Sequence, residues 1–198
     1  EPVSADLLAQ QIVALETHFR IRAIKLGVPG RVLSQKVLEV LPEQVPLIVD
    51  PVLSAGGGGE LASSSDRYWP QLLARTTLLT PNPSEALKLA DAHSVEAAAA
   101  RLLGMGVAHV LVTGGDAPTE QVINTLYGPV PARWTLDRFQ GRYRGTGCTL
   151  ASAIAAGLAH GKTLPDSIEA AQRWVSRSLE GAASLTPEVW LPDRRPGI

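Results

Sequence analysis

The feature that most constrains the fold is an alternation of short apolar strands with helical segments along the first half of the chain. Strands are predicted over residues 21–26, 46–50, 76–80 and 107–112. Helices are predicted over residues 5–16, 32–41, 67–75, 84–90 and 97–105. A helix between two strands returns the chain to the same edge of a sheet, so that the strands become parallel. The pattern therefore predicts an α/β protein with a parallel sheet and helices on its faces.

The sequence changes character after Asp116. Two strands are predicted over residues 121–127 and 133–139, and the Gly-Pro-Val-Pro turn between them favours an antiparallel hairpin. Two more helices are predicted over residues 150–159 and 166–180. The tail from Thr186 contains three prolines, and we expect it to be extended and loosely held.

Each of the four predicted parallel strands ends in polar or glycine-rich sequence. These ends are Lys25-Leu-Gly27, Asp50, Thr80 with Asn82, and Thr113-Gly-Gly115. One such end alone is typical of a turn. Four of them at one edge of a sheet indicate a ligand site, because ligands bind outside the carboxyl ends of parallel strands.

The segment from Gly141 to Thr149 contains three glycines and runs directly into an apolar, alanine-rich helix. A helix N-terminus carries free backbone N–H groups and the positive end of the helix dipole, and it therefore suits an anion. Gly145 and Gly147 would let a phosphate approach the main chain closely. Cys148 would lie in the same field, which predicts a lowered thiol pKa and a thiolate. The alternative interpretation is a glycine-rich turn followed by a buried cysteine.

Composition excludes several classes of function. The 198 residues carry a net charge of −1 without a basic block, which argues against binding to nucleic acid or to a membrane surface. No apolar run is long enough to span a bilayer. A single cysteine rules out an internal disulfide and suits the cytoplasm, and four scattered histidines form no zinc motif.

Several stretches together resemble one family. Asp50-Pro-Val, Thr80-Pro-Asn-Pro-Ser-Glu85, Gly114-Gly115 and Gly145-Thr-Gly-Cys-Thr-Leu-Ala-Ser152 occur in the order and spacing of hydroxymethylpyrimidine/phosphomethylpyrimidine kinases. The resemblance implies a ribokinase-like fold, with three α/β/α layers, a mostly parallel central sheet and a C-terminal antiparallel hairpin. Residues 1–198 would form a single kinase domain. Relatives have a further strand–helix–strand portion before residue 1, so we expect this chain to lack its N-terminal portion.

The resemblance also implies an activity. The chain would use ATP and Mg²⁺ to phosphorylate 4-amino-5-hydroxymethyl-2-methylpyrimidine, and then its monophosphate, in thiamine biosynthesis. The small-molecule pyrimidine would be its partner, and relatives suggest a homodimer. Two alternatives remain open: a pyridoxal-type kinase, which shares the fold, and a non-catalytic relative that binds a pyrimidine.

Site residues follow from the resemblance, position by position. Cys148 would be the base or activating residue that faces the hydroxymethyl group, and Gly145, Thr146 and Gly147 would form the anion hole. The residues implied at the ATP phosphates are Asp50, Asn82, Glu85, Thr113 and Gly115, with Asp50 and Glu85 holding Mg²⁺ through water. The residues implied at the pyrimidine are Gly27, Val28, Val52 and Leu53.

Some positions depart from the pattern or carry a second interpretation. Relatives often have Lys where this chain has Thr113, and His where it has Arg144; Arg142 or Arg144 would replace the missing charge. Asn82 and Glu85 are also typical helix-capping residues, and that structural role is compatible with the functional one.

Overall fold

The computed structural model describes residues 3–27, 35–53, 68–116 and 119–195. Val28, expected at the pyrimidine, and the four consecutive glycines at 56–59 lie outside the described residues. The helices are α1 (Ala5–His18), α2 (Gln35–Val40), α3 (Trp69–Ala74), α4 (Pro83–Ala90), α5 (Val95–Gly104), α6 (Thr146–Ala159) and α7 (Leu164–Glu180). The strands are β1 (Ile24–Gly27), β2 (Leu47–Asp50), β3 (Leu78–Leu79), β4 (Val110–Val112), β5 (Gln121–Tyr127), β6 (Ala132–Asp137), β7 (Arg142–Tyr143), β8 (Ala183–Thr186) and β9 (Val189–Leu191).

The main sheet has six strands in the order β1-β2-β3-β4-β5-β6. The first four are parallel, and β4, β5 and β6 pair antiparallel. Both the parallel strands and the hairpin predicted from the sequence are confirmed. The register sets Gly27 opposite Asp50, so the ends of β1 and β2 lie side by side at the carboxyl edge.

Alternating side chains on the central strands divide the core into two halves. Leu47 and Val49 of β2 belong to a core half that includes residues of α2, α3, α4 and α5, whereas Ile48 belongs to one that includes residues of α6 and α7. This division follows from the two-residue period of a strand, which sends successive side chains to opposite faces. The sheet therefore lies between two helical layers, as the predicted three-layer α/β/α architecture requires.

Within residues 186–195, which the structure describes, the C-terminal tail contains extended strand as expected, but it is not loosely held, and that part of the prediction was wrong. Strands β8 and β9 form a second small sheet with β7, in the order β7-β9-β8. Beyond β9, the Asp193 N–H donates to the Ser178 carbonyl at 2.8 Å, and Pro192 is buried. Main-chain hydrogen bonds thus hold the tail beside the segment that leads into α6.

Among the described residues, no helix combines the length and the apolar character needed to cross a membrane.

Candidate active site

A cavity of about 360 Å³ opens at the carboxyl ends of the parallel strands and extends over the N-terminus of α6. It brings together most of the residues that the sequence predicted for a site. Those that line it are Asp50, Val52, Asn82, Glu85, Thr113, Gly115, Gly145, Thr146, Gly147 and Cys148. They come from four separate stretches of the chain, so the fold itself assembles the site.

The N-terminus of α6 lies inside the glycine-rich motif rather than after it. Gly145 is the N-cap, with a left-handed backbone at φ +81° that favours glycine over other residues. The helix begins at Thr146, so Thr146, Gly147 and Cys148 occupy its first turn. N–H groups in that turn have no acceptor within the helix, and they are therefore available to an anion in the cavity.

Cys148 is paired with a buried carboxylate at the end of β2. The thiol lies close enough to the carboxylate of Asp50, which is 5% exposed, for the two groups to interact electrostatically. On the other side, Lys25 Nζ lies 3.1 Å from Asp50 Oδ2. The Lys25 ammonium occupies the space that a Cβ on Gly27 would take. Gly27 therefore gives Lys25 access to Asp50.

The electrostatics at Cys148 differ from the prediction. Burial raises the pKa of the thiol, and the Asp50 carboxylate raises it further by repelling a thiolate and by stabilising the protonated thiol. Lys25 and Arg194 lower this pKa but do not reverse the shift. The lowered pKa expected from the helix N-terminus is therefore wrong, and Cys148 is a protonated thiol at neutral pH.

The raised pKa predicts slow alkylation of Cys148. We expect iodoacetamide to react slowly at neutral pH, and the rate to keep rising past the ordinary thiol pKa of 9.0 before it levels off, because the thiolate is the nucleophile. Asp50→Asn should shift this profile to lower pH by removing the repulsion. The measurement is the alkylation rate by intact mass, which is unambiguous because the chain has one cysteine. Asp116→Asn is the matched control, and an unshifted profile in Asp50→Asn contradicts the assignment.

Asn82, Glu85 and Asp116 form another wall of the cavity, which carries two carboxylates. Asn82 and Glu85 form a capping box at the start of α4: Asn82 Oδ1 accepts from Glu85 N at 2.9 Å, and Glu85 Oε2 accepts from Asn82 N at 2.9 Å. Asn82 Nδ2 donates to Asp116 Oδ2 at 2.9 Å. Burial raises the pKa of Glu85, and repulsion from Asp50 and Asp116 adds to this shift. The capping role is thus present, and the carboxylates repel one another.

This wall fits a magnesium ion held mainly through water and phosphate. Asp50 Oδ2 is buried and has no hydrogen-bond partner, although it lies in the ion pair with Lys25. The described residues contain no cluster of three His, Cys, Asp or Glu side chains that could hold a metal directly. Mg²⁺ commonly takes one or two carboxylates, several waters and substrate phosphates, which matches such a wall.

The loop after β4 is held by a buried polar network. The Gly114 N–H donates to Asn124 Oδ1 at 3.0 Å, and Asn124 Nδ2 donates to Gln172 Oε1 at 2.7 Å. The Gly114 N–H can only donate, so Asn124 must turn Oδ1 toward Gly114 and Nδ2 toward Gln172 Oε1. Gln172 Nε2 is therefore left as a buried donor beside the cavity. Arg138 donates to the carbonyls of Gly114 and Gly115 at 3.2 and 2.8 Å.

Some predicted residues do not line this cavity. Gly27 and Leu53 are not among its lining residues: Gly27 accommodates Lys25, and Leu53 is buried in the core half that includes residues of α2, α3, α4 and α5. Of the two arginines proposed to replace the missing lysine, Arg144 lines the cavity, whereas Arg142 lies in β7 opposite Val189.

Sequence reasoning assigned no role to Lys25, Asp116, Arg138 or Arg194, although Lys25 belongs to one of the polar strand ends that indicated the site. Lys25 carried a signal, because a lysine at the end of a buried strand needs a partner. Arg194 carried no such signal, because it lies 45 residues along the chain from Thr149, the residue to which its side chain donates a hydrogen bond.

Comparison with known proteins agrees with this geometry. A family model described as phosphomethylpyrimidine kinase matches residues 1–190. The chain belongs to the phosphomethylpyrimidine kinase family. It is 38% identical to a hydroxymethylpyrimidine/phosphomethylpyrimidine kinase of Mycobacterium tuberculosis, over 92% of this chain and 72% of that protein. It is 32% identical to the chloroplastic thiamine biosynthetic bifunctional enzyme TH1 of Arabidopsis thaliana, over 88% of this chain and 36% of that protein.

Solved structures place the fold among the ribokinase-like kinases. The pyridoxal kinase from Staphylococcus aureus in complex with AMP-PCP and pyridoxal superposes with a TM-score of 0.78 at 28% identity, covering 99% of this chain and 75% of that one. The ribokinase-like architecture implied by the sequence motifs is therefore confirmed, and the chain is a phosphotransferase of this family.

Proposed function

We propose that the protein transfers the γ-phosphoryl group of ATP to the hydroxymethyl group of 4-amino-5-hydroxymethyl-2-methylpyrimidine, and then to the resulting monophosphate. The observation that carries this proposal is the Cys148–Asp50 pair at the N-terminus of α6. One helix terminus thus offers a proton-accepting pair for an alcohol and N–H donors for a phosphoryl group.

In the first step, the hydroxymethyl oxygen attacks the γ-phosphorus, and the bond from that phosphorus to the oxygen bridging to the β-phosphate breaks. ADP leaves with the electron pair. The alcohol proton passes to Cys148 Sγ as the thiol proton moves to Asp50. A protonated thiol with a raised pKa fits this relay, because the thiol gives up its proton only as it receives another. The N–H groups of Thr146 and Gly147 stabilise the equatorial oxygens of the phosphoryl group.

ATP and Mg²⁺ belong to the same proposal. The triphosphate would lie along the cavity between Asn82 and the N-terminus of α6, with Thr113 and Gly115 at its side. Asp50 and Glu85 would hold Mg²⁺ through water, and Asp116 adds a third charge. When bound, Mg²⁺ supplies neutralisation of the phosphate oxygens. Of the residues expected at the pyrimidine, Val52 lines the cavity and would border the substrate, whereas Gly27 and Leu53 would not contact it directly.

The test is a coupled ADP-release assay with the hydroxymethylpyrimidine, its monophosphate and pyridoxal as separate and competing acceptors. We expect turnover with the first two. Pyridoxal is the second candidate acceptor, because the superposed S. aureus structure is a pyridoxal kinase. Preferred turnover of pyridoxal would reassign the substrate. Binding of the pyrimidine without turnover of any acceptor would overturn the proposal in favour of a non-catalytic relative.

Glu85→Gln tests the magnesium assignment. Gln also serves at the third position of a capping box, so α4 should stay intact while one negative charge is lost. We expect the Mg²⁺ concentration for half-maximal turnover to rise about 10-fold. Glu120→Gln, an exposed carboxylate outside the cavity, is the control. An unchanged Mg²⁺ titration would remove Glu85 from the metal site.

The same titration has a pH dependence with a defined sign. Because the pKa of Glu85 is raised, protons begin to compete with Mg²⁺ at mildly acidic pH. The wild-type Mg²⁺ requirement should therefore begin to rise at a pH above that expected for an ordinary carboxylate of pKa 4.5, and that of Glu85→Gln should change less.

We further propose that the protein is a cytoplasmic homodimer. Support for self-association comes from α1, where Leu7, Val13 and Leu15 are large apolar side chains that are each about half exposed. Light scattering on the purified chain tests the oligomeric state.

A further inference from the structure

The segment that follows β9 carries an arginine to the start of α6. Its position is fixed from both sides, because Arg144 N donates to Trp190 O at 2.9 Å and Asp193 N donates to Ser178 O at 2.8 Å. The next residue, Arg194, donates from Nε to Thr149 Oγ1 at 3.3 Å. The tail thus places a guanidinium group against the first turn of α6.

Arg194 lies directly beside the glycine that caps this helix. A Cβ on Gly145 would come within 2.9 Å of Arg194 Nη2, so glycine makes room for the guanidinium as well as for the left-handed backbone. Arg194 also lines a second cavity, of about 700 Å³, which shares Cys148 with the first. Cys148 therefore stands between the carboxylate-lined cavity and a space bordered by Arg194.

Among the described residues, no carboxylate neutralises the charge of Arg194, whereas Lys25 and Arg195 each lie beside one. Lys25 is paired with Asp50, and Arg195 lies 3.8 Å from Asp193. In the part of the chain that the structure describes, Arg194 forms no ion pair with a carboxylate. An exposed guanidinium beside a helix N-terminus is suited to a dianionic phosphate, which it can bind in a bidentate manner.

We propose that Arg194 binds the phosphate of the pyrimidine monophosphate in the second phosphorylation, and so makes the site selective for an acceptor that is already phosphorylated. This inference rests on the proposed function. In that step a nonbridging oxygen of the acceptor phosphate attacks the γ-phosphorus of ATP. A P–O–P linkage forms, the bond to the oxygen bridging to the β-phosphate breaks, and ADP leaves with the electron pair. The dianion has no proton to lose, so charge neutralisation replaces proton transfer as the requirement.

The test compares Arg194→Met with Arg195→Met, measuring kcat/KM separately for the alcohol and for the monophosphate. For the monophosphate, we expect kcat/KM to fall about 10- to 100-fold in Arg194→Met, which is the effect of losing a hydrogen bond to a charged group. The loss for the alcohol should be at least several-fold smaller. Arg195→Met, which changes the neighbouring exposed arginine, should keep the wild-type ratio of the two values.

Two further variants separate phosphate binding from a purely structural role. Thr149→Val removes the hydrogen bond that Arg194 donates but leaves the guanidinium in place. If Arg194 only held α6 in position, Thr149→Val would reproduce the effect of Arg194→Met. Arg194→Lys keeps a charge without the planar fork and should restore part of the monophosphate activity. The Arg194→Met defect should also increase with pH through about 6, where a phosphate monoester becomes a dianion.

The outcomes distinguish this inference from the function on which it rests. A normal ratio of the two activities in Arg194→Met overturns the inference and leaves the kinase function standing. A wild-type chain that phosphorylates the alcohol but not the monophosphate also overturns it, and leaves the first step intact. Absence of turnover with either acceptor removes both proposals.

Discussion

Cys148→Ala is expected to slow phosphorylation of the hydroxymethylpyrimidine by about 10²- to 10⁴-fold, the usual contribution of a positioned proton acceptor. The reason is the chemistry of the acceptor. An alcohol must lose its proton as the O–P bond forms, and the Cys148–Asp50 pair is positioned to take it. Affinity for ATP should change little, because the triphosphate is held by other groups. The measurement is single-turnover transfer at saturating ATP, together with the Kd for ATP.

The same variant should affect the second phosphorylation much less, since the monophosphate dianion attacks without losing a proton. Cys148→Ala and Arg194→Met are therefore expected to change the ratio of the two steps in opposite directions. Ser152→Ala is a suitable control, because Ser152 lies one turn further along α6 and its hydroxyl donates to the Cys148 carbonyl at 2.8 Å. Equal losses in both steps, or a near-normal alcohol rate, would mean that Cys148 does not accept the alcohol proton.

Much of the fold could be predicted because its signals are local. Strands β1, β2 and β4 are short apolar runs, and the helices show their own periodicity and caps, so each element can be identified from its own residues. The site's location also followed, because polar residues at the ends of parallel strands must meet at one edge. Strand β7 has two residues and β9 has three, which is too short for any periodicity to be visible. Their pairing, and with it the position of Arg194, depends on contacts between distant segments.

The charge state of the site could not be predicted for a related reason. A cysteine in the first turn of a helix suggests a lowered pKa if the helix is considered alone. The structure adds burial and the carboxylate of Asp50, which reaches Cys148 only because β2 ends beneath the start of α6, and these effects raise the pKa. Lys25 is linked to the same carboxylate through the register that sets Gly27 opposite Asp50. Both interactions connect residues far apart in sequence, and no local pattern encodes them.

Gly147→Ala is expected to abolish most of the phosphoryl transfer while leaving the fold intact. Gly147 lies in the first turn of α6, and a Cβ added there meets no protein atom within 4 Å. The substitution should therefore be neutral or stabilise the protein by about 0.4–1 kcal/mol, because alanine has less freedom than glycine in the unfolded chain. Because Gly147 lines the cavity, the methyl group would stand where the transferring phosphoryl group approaches the N–H donors. Loss of one such donor interaction typically slows transfer by about 10²- to 10³-fold.

Gly104→Ala is the matched control for this experiment. Gly104 ends α5, away from the cavity, and a Cβ there also meets no atom within 4 Å. Both variants should unfold at or slightly above the wild-type temperature, and only Gly147→Ala should lose turnover with both acceptors, because every transfer passes through the same phosphoryl site. Wild-type turnover in Gly147→Ala would show that the phosphoryl group does not approach this turn of α6. A lowered unfolding temperature in Gly147→Ala alone would show that the backbone at this position requires glycine. The loss of activity would then carry no information about the anion site.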